Sequence, residues 1–346
     1  MKRVLLVLFI IIPSLIAVSI FALPDIAVSE KENRGLTVKS EISLDIKNGL
    51  FQTDLENYIS DQFPLREDLV YIRNALRYAL GQREIDGAYF CKDGRLIQKI
   101  TKADTDKPAL LVYADKINSI AKKYPTYVMY VPSACAIAGS ELPAGAPAYD
   151  FNSLYSALTG KLNNANCIDL SKKLIIDDYY KTDHHWNAYG AYKAYAEFCL
   201  IKNEKPKQID DFKLKSVSSD FKGTLYSKVL ISRQEDEILL PDVPEFNVTA
   251  DGKTVGFYDY GALKTKDKYN VYQGGNHGIT EIDGGAKGGK TLLVFKDSFA
   301  NSFIPFILGD YGKIILVDER YTFISISDFA EKTQPDEILV LREIIN

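Results

Sequence analysis

The sequence predicts an α/β fold, a three-layer α/β/α sandwich around a parallel sheet of about five strands. Two observations lead there. Short runs at Tyr127–Val131, Cys167–Leu170, Thr291–Phe295, Lys313–Val317 and Glu337–Leu341 are rich in apolar residues and mostly continuous rather than alternating, as expected of strands buried on both faces. Helical periodicities separate them, and that alternation is the signature of a parallel sheet covered on both sides.

Taken in order, Lys2 and Arg3 precede an apolar run, Val4 to Leu23, broken only by Pro13, Ser14 and Ser19. At about 1.5 Å per residue such a run covers the roughly 30 Å of a bilayer core. The two cations would keep the N-terminus inside, so the rest of the chain is expected outside the cytoplasm. Residues 1–23 therefore read as an uncleaved anchor in preference to a removed signal peptide. Ile20-Phe21-Ala22 is a poor cleavage site, although Ala17-Val18-Ser19 would pass.

Residues 24–50 are polar and read as a spacer, with the folded body at 51–346. Within 51–106, apolar positions Phe51, Leu55, Tyr58 and Ile59, then Leu69, Ile72, Leu76 and Leu80, predict two helices broken at Phe63-Pro64. Lys92-Asp93-Gly94 between two apolar runs predicts a hairpin. Further helices are expected over Pro108–Tyr124, where Pro125 stops the pattern, Phe151–Leu162, Asn187–Ile201 and Phe299–Leu308. Residues 205–290, rich in Gly, Asp, Lys and Tyr, read as a β-rich insertion beside the sheet that lines a substrate groove.

With 346 residues, 46% hydrophobic and 25% charged, the chain has ample material for a core. A formal charge of −4 gives no reason to expect nucleic acid as a partner, whereas a neutral sugar polymer is compatible. Cys91, Cys135, Cys167 and Cys199 match no metal spacing and read as small buried side chains.

The chemistry concentrates in Asp183-His184-His185-Trp186, which holds two of the three histidines. In a loop that enters a helix at Asn187, a residue suited to capping, Asp183 and His185 can converge, the carboxylate fixing the imidazole tautomer. Ser298 follows the strand ending near Phe295 and precedes a helix, which puts a hydroxyl at the carboxyl edge of the sheet. Backbone N–H groups at that helix start, including Phe299, and the side chain of Asn276 are candidate oxyanion donors. His184, whose side chain should alternate away from that of its neighbour His185, reads equally as packing or substrate contact, and Trp186 as a packing anchor or a sugar platform. Arg320 and Tyr321, after a C-terminal strand, are candidate substrate contacts. A metal on Asp183, His184, His185 and His277 is disfavoured, because adjacent histidines rarely converge on one ion.

Thr182-Asp183-His184-His185-Trp186 resembles the signature of the DHHW family of exported bacterial proteins, which is similar to the alginate O-acetylation proteins with their SGNH-hydrolase-like fold. Ser29–Arg34, Asp61–Arg66, Asp220–Tyr226 and Lys296–Phe299 resemble further blocks of that family in the same order. The resemblance implies an SGNH-like sandwich with permuted motif order, acid and base before serine, and a triad of Ser298, His185 and Asp183. One departure is Lys296, where the serine block of SGNH hydrolases usually has glycine. An exported O-acetyltransferase for cell-surface or secreted polysaccharide is implied, fed by a membrane-bound acyl donor protein and needing no cofactor. A carbohydrate esterase with the same triad and a non-catalytic glycan-binding protein are the alternatives.

Overall fold

Helices bounded as the periodicity predicts occupy the first of two compact units, residues 1–86 with 227–231. The computed structural model describes residues 2–106, 108–286 and 288–346, without the side chains of residues 2–8. Lys2 and Arg3, on which the orientation argument rests, therefore have side chains outside the described set. Lys2–Ala22 is helical, yet no helix among the described residues is long and apolar enough to cross a membrane. Leu50–Asp61 and Arg66–Ala79 are the two expected helices. Pro64 disfavours helical backbone at Phe63, and Leu65 takes a left-handed φ of 57°, so the chain turns there. Residues 24–50, read as a polar spacer, make contacts with these helices. Arg34 Nη2 lies 2.5 Å from Asp61 Oδ1, and Gln62 exchanges hydrogen bonds with the backbone of Ile26. These contacts hold the segment against the helices, and the unit they share runs to residue 86.

The second unit is built on an eight-stranded sheet. Its strands are β1 (Thr126–Val131), β2 (Ala165–Asp169), β3 (Val248–Ala250), β4 (Lys253–Val255), β5 (Ile279–Asp283), β6 (Thr291–Lys296), β7 (Lys313–Val317) and β8 (Glu337–Glu343). They lie in the order β4-β3-β5-β7-β6-β8-β1-β2. The five from β7 to β2 are mutually parallel, and the apolar runs of β6 and β8 are buried almost throughout. The insertion does not lie beside this sheet. Its strands β3, β4 and β5 continue the sheet antiparallel from β7, with Ile279 opposite Val317. Only Lys215–Phe221 and Asp236–Leu240 form a separate ribbon.

Among the described residues, the helices that cover the sheet are α1 (Pro108–Ala121), α2 (Phe151–Thr159), α3 (Ala188–Ile201), α4 (Ala300–Ile307) and α5 (Ile326–Thr333). The β6-α4-β7 connection advances in one direction along the sheet, whereas β7-α5-β8 and β1-α2-β2 advance in the other. Right-handed crossovers therefore place α4 opposite α2 and α5. The contacts agree, since α3 packs on α4 while α1 packs on α2 and α5. All five parallel strands present their carboxyl ends at one edge, and Ser298 follows β6 there.

Candidate active site

Tyr179 and Trp186 form an antiparallel bridge, with Tyr180 N donating to His185 O and Asn187 N to Asp178 O. The Asp183 motif is thus a tight loop whose tip is held from outside. Asp236 accepts from Lys181 N, Thr182 N and Thr182 Oγ1 at 2.6–2.8 Å. Asn187 then caps α3 by accepting from Tyr189 N at 2.9 Å.

Within the loop Asp183 Oδ1 accepts from His185 N at 2.9 Å and from His185 Nδ1 at 2.6 Å. A carboxylate only accepts, so Nδ1 carries the proton and Nε2 presents a lone pair. Nε2 lies 2.7 Å from Ser298 Oγ, across 113 residues of sequence. Burial by itself would raise the Asp183 carboxyl, but the imidazoles of His185 and His184 and the N–H of Thr224 hold it well below the usual carboxylate range. All three side chains are at least nine-tenths buried.

Several supporting residues carry no chemical signal in the sequence, although Gly223 and Thr224 lie in the Asp220–Tyr226 block. Thr224 donates to Asp183 Oδ2 through N at 2.7 Å and through Oγ1 at 3.0 Å. Gly223 lets that approach happen, because a Cβ there would sit 2.3 Å from Asp183 Oδ2. Gly223→Ala is therefore expected to displace Asp183 and lower stability by about 1–3 kcal/mol, as overpacking does, read as a drop in thermal midpoint. Tyr269 stacks on His185, ring centroids 4.1 Å apart at 8°, and its hydroxyl donates to Ser298 O at 3.0 Å. Ser302 bonds both Tyr269 and Trp186. Only the place of Ser302, one turn after Ser298, could have hinted at its supporting role.

Other candidates land differently. His184 does not turn away from its neighbour: the two rings are 3.8 Å apart, and His184 Nδ1 meets Thr224 Oγ1 at 2.8 Å. The bridged loop, not extended backbone, brings them together. Asp183, His184 and His185 are consequently a group whose ligating atoms converge within 4.8 Å, but Asp183 and His185 already spend theirs on one another, Thr224 and Ser298. Trp186 is fully buried, with Nε1 donating to Phe299 O at 3.0 Å, so it anchors α3 and offers no face to a sugar.

The Phe299 N–H is not free either, since it donates to Asp297 Oδ1 at 2.9 Å. Ala300 N and Asn301 N also have acceptors. The N–H of Ser298 itself has no acceptor among the described residues. Asn276 lies apart from the triad, its Oδ1 accepting from Asn301 Nδ2 at 3.2 Å. Lys296 turns into the same buried group, 2.7 Å from Asn301 Oδ1 and 3.6 Å from Asp318 Oδ2, and burial draws it down to about 8. Arg320 clamps Asp318 with two hydrogen bonds, and Tyr321 is exposed beside it. His277 binds Gln273 O, away from the motif.

A buried hydroxyl, an imidazole with a free lone pair and an orienting carboxylate thus meet at the edge where α/β sheets bind ligands. Residues 151–317 match the model of the DHHW protein family. The matched stretch contains the whole triad and the Gly223–Thr224 support. A DHHW family protein from Eubacterium siraeum has a similar structure at 23% identity, covering 75% of this chain and 92% of that one, with a TM-score of 0.62. PatB1 of Bacillus cereus, solved with a sulfonyl adduct, is similar at 18% identity over 73% of this chain and 93% of its own, TM-score 0.60. The O-acetyltransferase domain of Pseudomonas putida AlgJ aligns at 14% identity over 75% and 91%, TM-score 0.45. No curated protein sequence matches the chain. At these identities the DHHW protein and PatB1 share the fold, a mixed α/β architecture with a large, mostly parallel sheet.

Proposed function

We propose that this chain is an exported serine O-acetyltransferase that moves an acetyl group onto hydroxyls of a cell-surface or secreted polysaccharide. The observation that carries the reading is the 2.7 Å contact between His185 Nε2 and Ser298 Oγ, in line with the 2.6 Å contact to Asp183. His185 takes the Ser298 proton as Oγ attacks the acetyl carbonyl of the donor, and the imidazolium returns it to the leaving group. A sugar hydroxyl, deprotonated in turn by His185, then attacks the acetyl-serine, forming the new ester and restoring Ser298. The Ser298 N–H is the donor available to the tetrahedral oxyanion. Delivery through the N-terminal segment, retained as an anchor, and supply by a membrane-bound acyl donor protein belong to the same proposal.

The test is to incubate the full-length chain with an activated acetyl ester, with and without an oligosaccharide acceptor. Acetylated oligosaccharide supports transfer. Acetate release that ignores the acceptor makes it an esterase, and a serine that no sulfonyl fluoride labels would leave only a glycan-binding role. Within this reading Tyr269 is a positioning residue. Tyr269→Phe keeps the stacked ring and loses hydrogen bonds of about 1 kcal/mol each, so most turnover should survive. Tyr269→Leu removes the ring that fixes the imidazole plane, and kcat should fall by about fivefold, on the order of the 1 kcal/mol of a ring pair.

A further inference from the structure

We infer that Lys222, Tyr226 and Lys266 form an anion-binding subsite beside the Ser298 site, so that the acceptor glycan bears carboxylate or phosphate groups. The inference rests on the glycan-modifying reading and narrows its substrate class. On a chain of net charge −4, two ammonium groups converge here on one ring. Lys266 Nζ lies 4.4 Å and Lys222 Nζ 5.1 Å from the Tyr226 centroid.

Only one of these two charges is balanced. Lys222 pairs with Glu235 at 3.0 Å, and the nearby Lys268 pairs with Asp220. Lys266 donates to the Lys222 carbonyl at 3.1 Å and has no carboxylate within 4 Å among the described residues. Half-buried, with Lys222 and Lys268 opposing its charge and Asp267 only partly offsetting them, it is drawn down to about 8. A cation held partly out of water without a counter-ion is destabilised until an anion arrives.

The placement links the subsite to the chemistry. Lys222 directly precedes Gly223 and Thr224, which pack on and bond Asp183, and Thr224 also meets His184. Tyr226 N donates to Thr182 O at 3.1 Å, and Lys266 leads into Tyr269, the ring stacked on His185. An anionic group on one sugar residue would thus be held while a neighbouring hydroxyl reaches Ser298.

Calorimetric titration of the full-length chain with a polyuronate oligomer, its carboxyl-reduced neutral counterpart and a glycerol-phosphate oligomer of similar length tests this without requiring turnover. At least one charged oligomer should bind about tenfold or more tightly than the neutral one at low salt, and the better of the two identifies the anion. Affinity should weaken as pH rises through about 8, where Lys266 loses its proton, and Lys266→Ala should abolish both the preference and that pH dependence. Equal affinity for charged and neutral oligomers in the unmodified protein overturns the inference, even if Lys266→Ala fails to fold. Labelling of Ser298 by a sulfonyl fluoride reports separately on the serine mechanism, so either idea can fail alone.

Discussion

Ser298→Ala should reduce acetyl transfer by at least about 10⁴-fold, the order seen when a serine nucleophile is removed from a preorganised triad, and should leave the fold intact. The change deletes one hydroxyl whose hydrogen bond runs to His185 Nε2. Backbone anchors at that position remain, because Ser298 O still accepts from Tyr269 and from Asn301 N. The thermal midpoint should therefore barely move while the rate collapses. Mass spectrometry after treatment with a sulfonyl fluoride gives a second readout, one adduct on the unmodified chain and none on the variant. Ser302→Ala is the informative comparison. It removes a hydroxyl that accepts from Trp186 Nε1 at 2.9 Å in the core, so it should cost about 1 kcal/mol of stability yet retain the adduct. Retention of the adduct by Ser298→Ala and its loss in Ser302→Ala would reassign the nucleophile.

The parts of this site that were legible in the sequence are those in which local pattern and long-range role coincide. Leu292–Phe295 of β6 is buried on both faces and so has to be apolar, and the serine after the strand emerges at the carboxyl edge. Asp183 and His185 were legible because a side-chain-to-backbone bond two residues on, here Asp183 Oδ1 to His185 N, is a local turn habit of aspartate. Thr224 reaches Asp183 from 41 residues away, with Gly223 beside it, and Tyr269 reaches Ser298 from 29 residues away. Nothing in a threonine, a glycine or a tyrosine announces such a partner. The insertion misled for another reason. Val248–Ala250 and Lys253–Val255 are three residues each and mixed in polarity, so their membership of the main sheet depends on β3 pairing with β5, which in turn pairs with β7, not on their own pattern. His184 shows the limit of alternation arguments, which hold for strands and fail in a loop closed by a single bridge.

Asp183→Asn is the variant in which catalysis and stability should both respond, and in which pH separates them. The carboxylate accepts from His185 N and Nδ1 on one oxygen and from Thr224 N and Oγ1 on the other. An amide has a single acceptor oxygen, so whichever way Asn turns, its NH₂ must face a donor: Thr224 N–H on one side, or the His185 pair on the other. Facing His185, it would favour the tautomer with the proton on Nε2, which cannot deprotonate Ser298. A fall in kcat of about 10⁴-fold is expected, as when the orienting carboxylate of a serine triad becomes an amide. Stability follows the depressed carboxyl pKa. The native carboxylate titrates below its unfolded value of about 3.9, so its contribution is complete above that value and is lost as pH falls through the folded one. Melting curves should accordingly show the unmodified chain more stable than Asp183→Asn at neutral pH, with the gap closing below about pH 4. A gap that stays constant down to pH 3 would mean that the carboxylate's charge, as distinct from its shape, does not hold the loop, and the orienting role given to Asp183 would lose its physical basis.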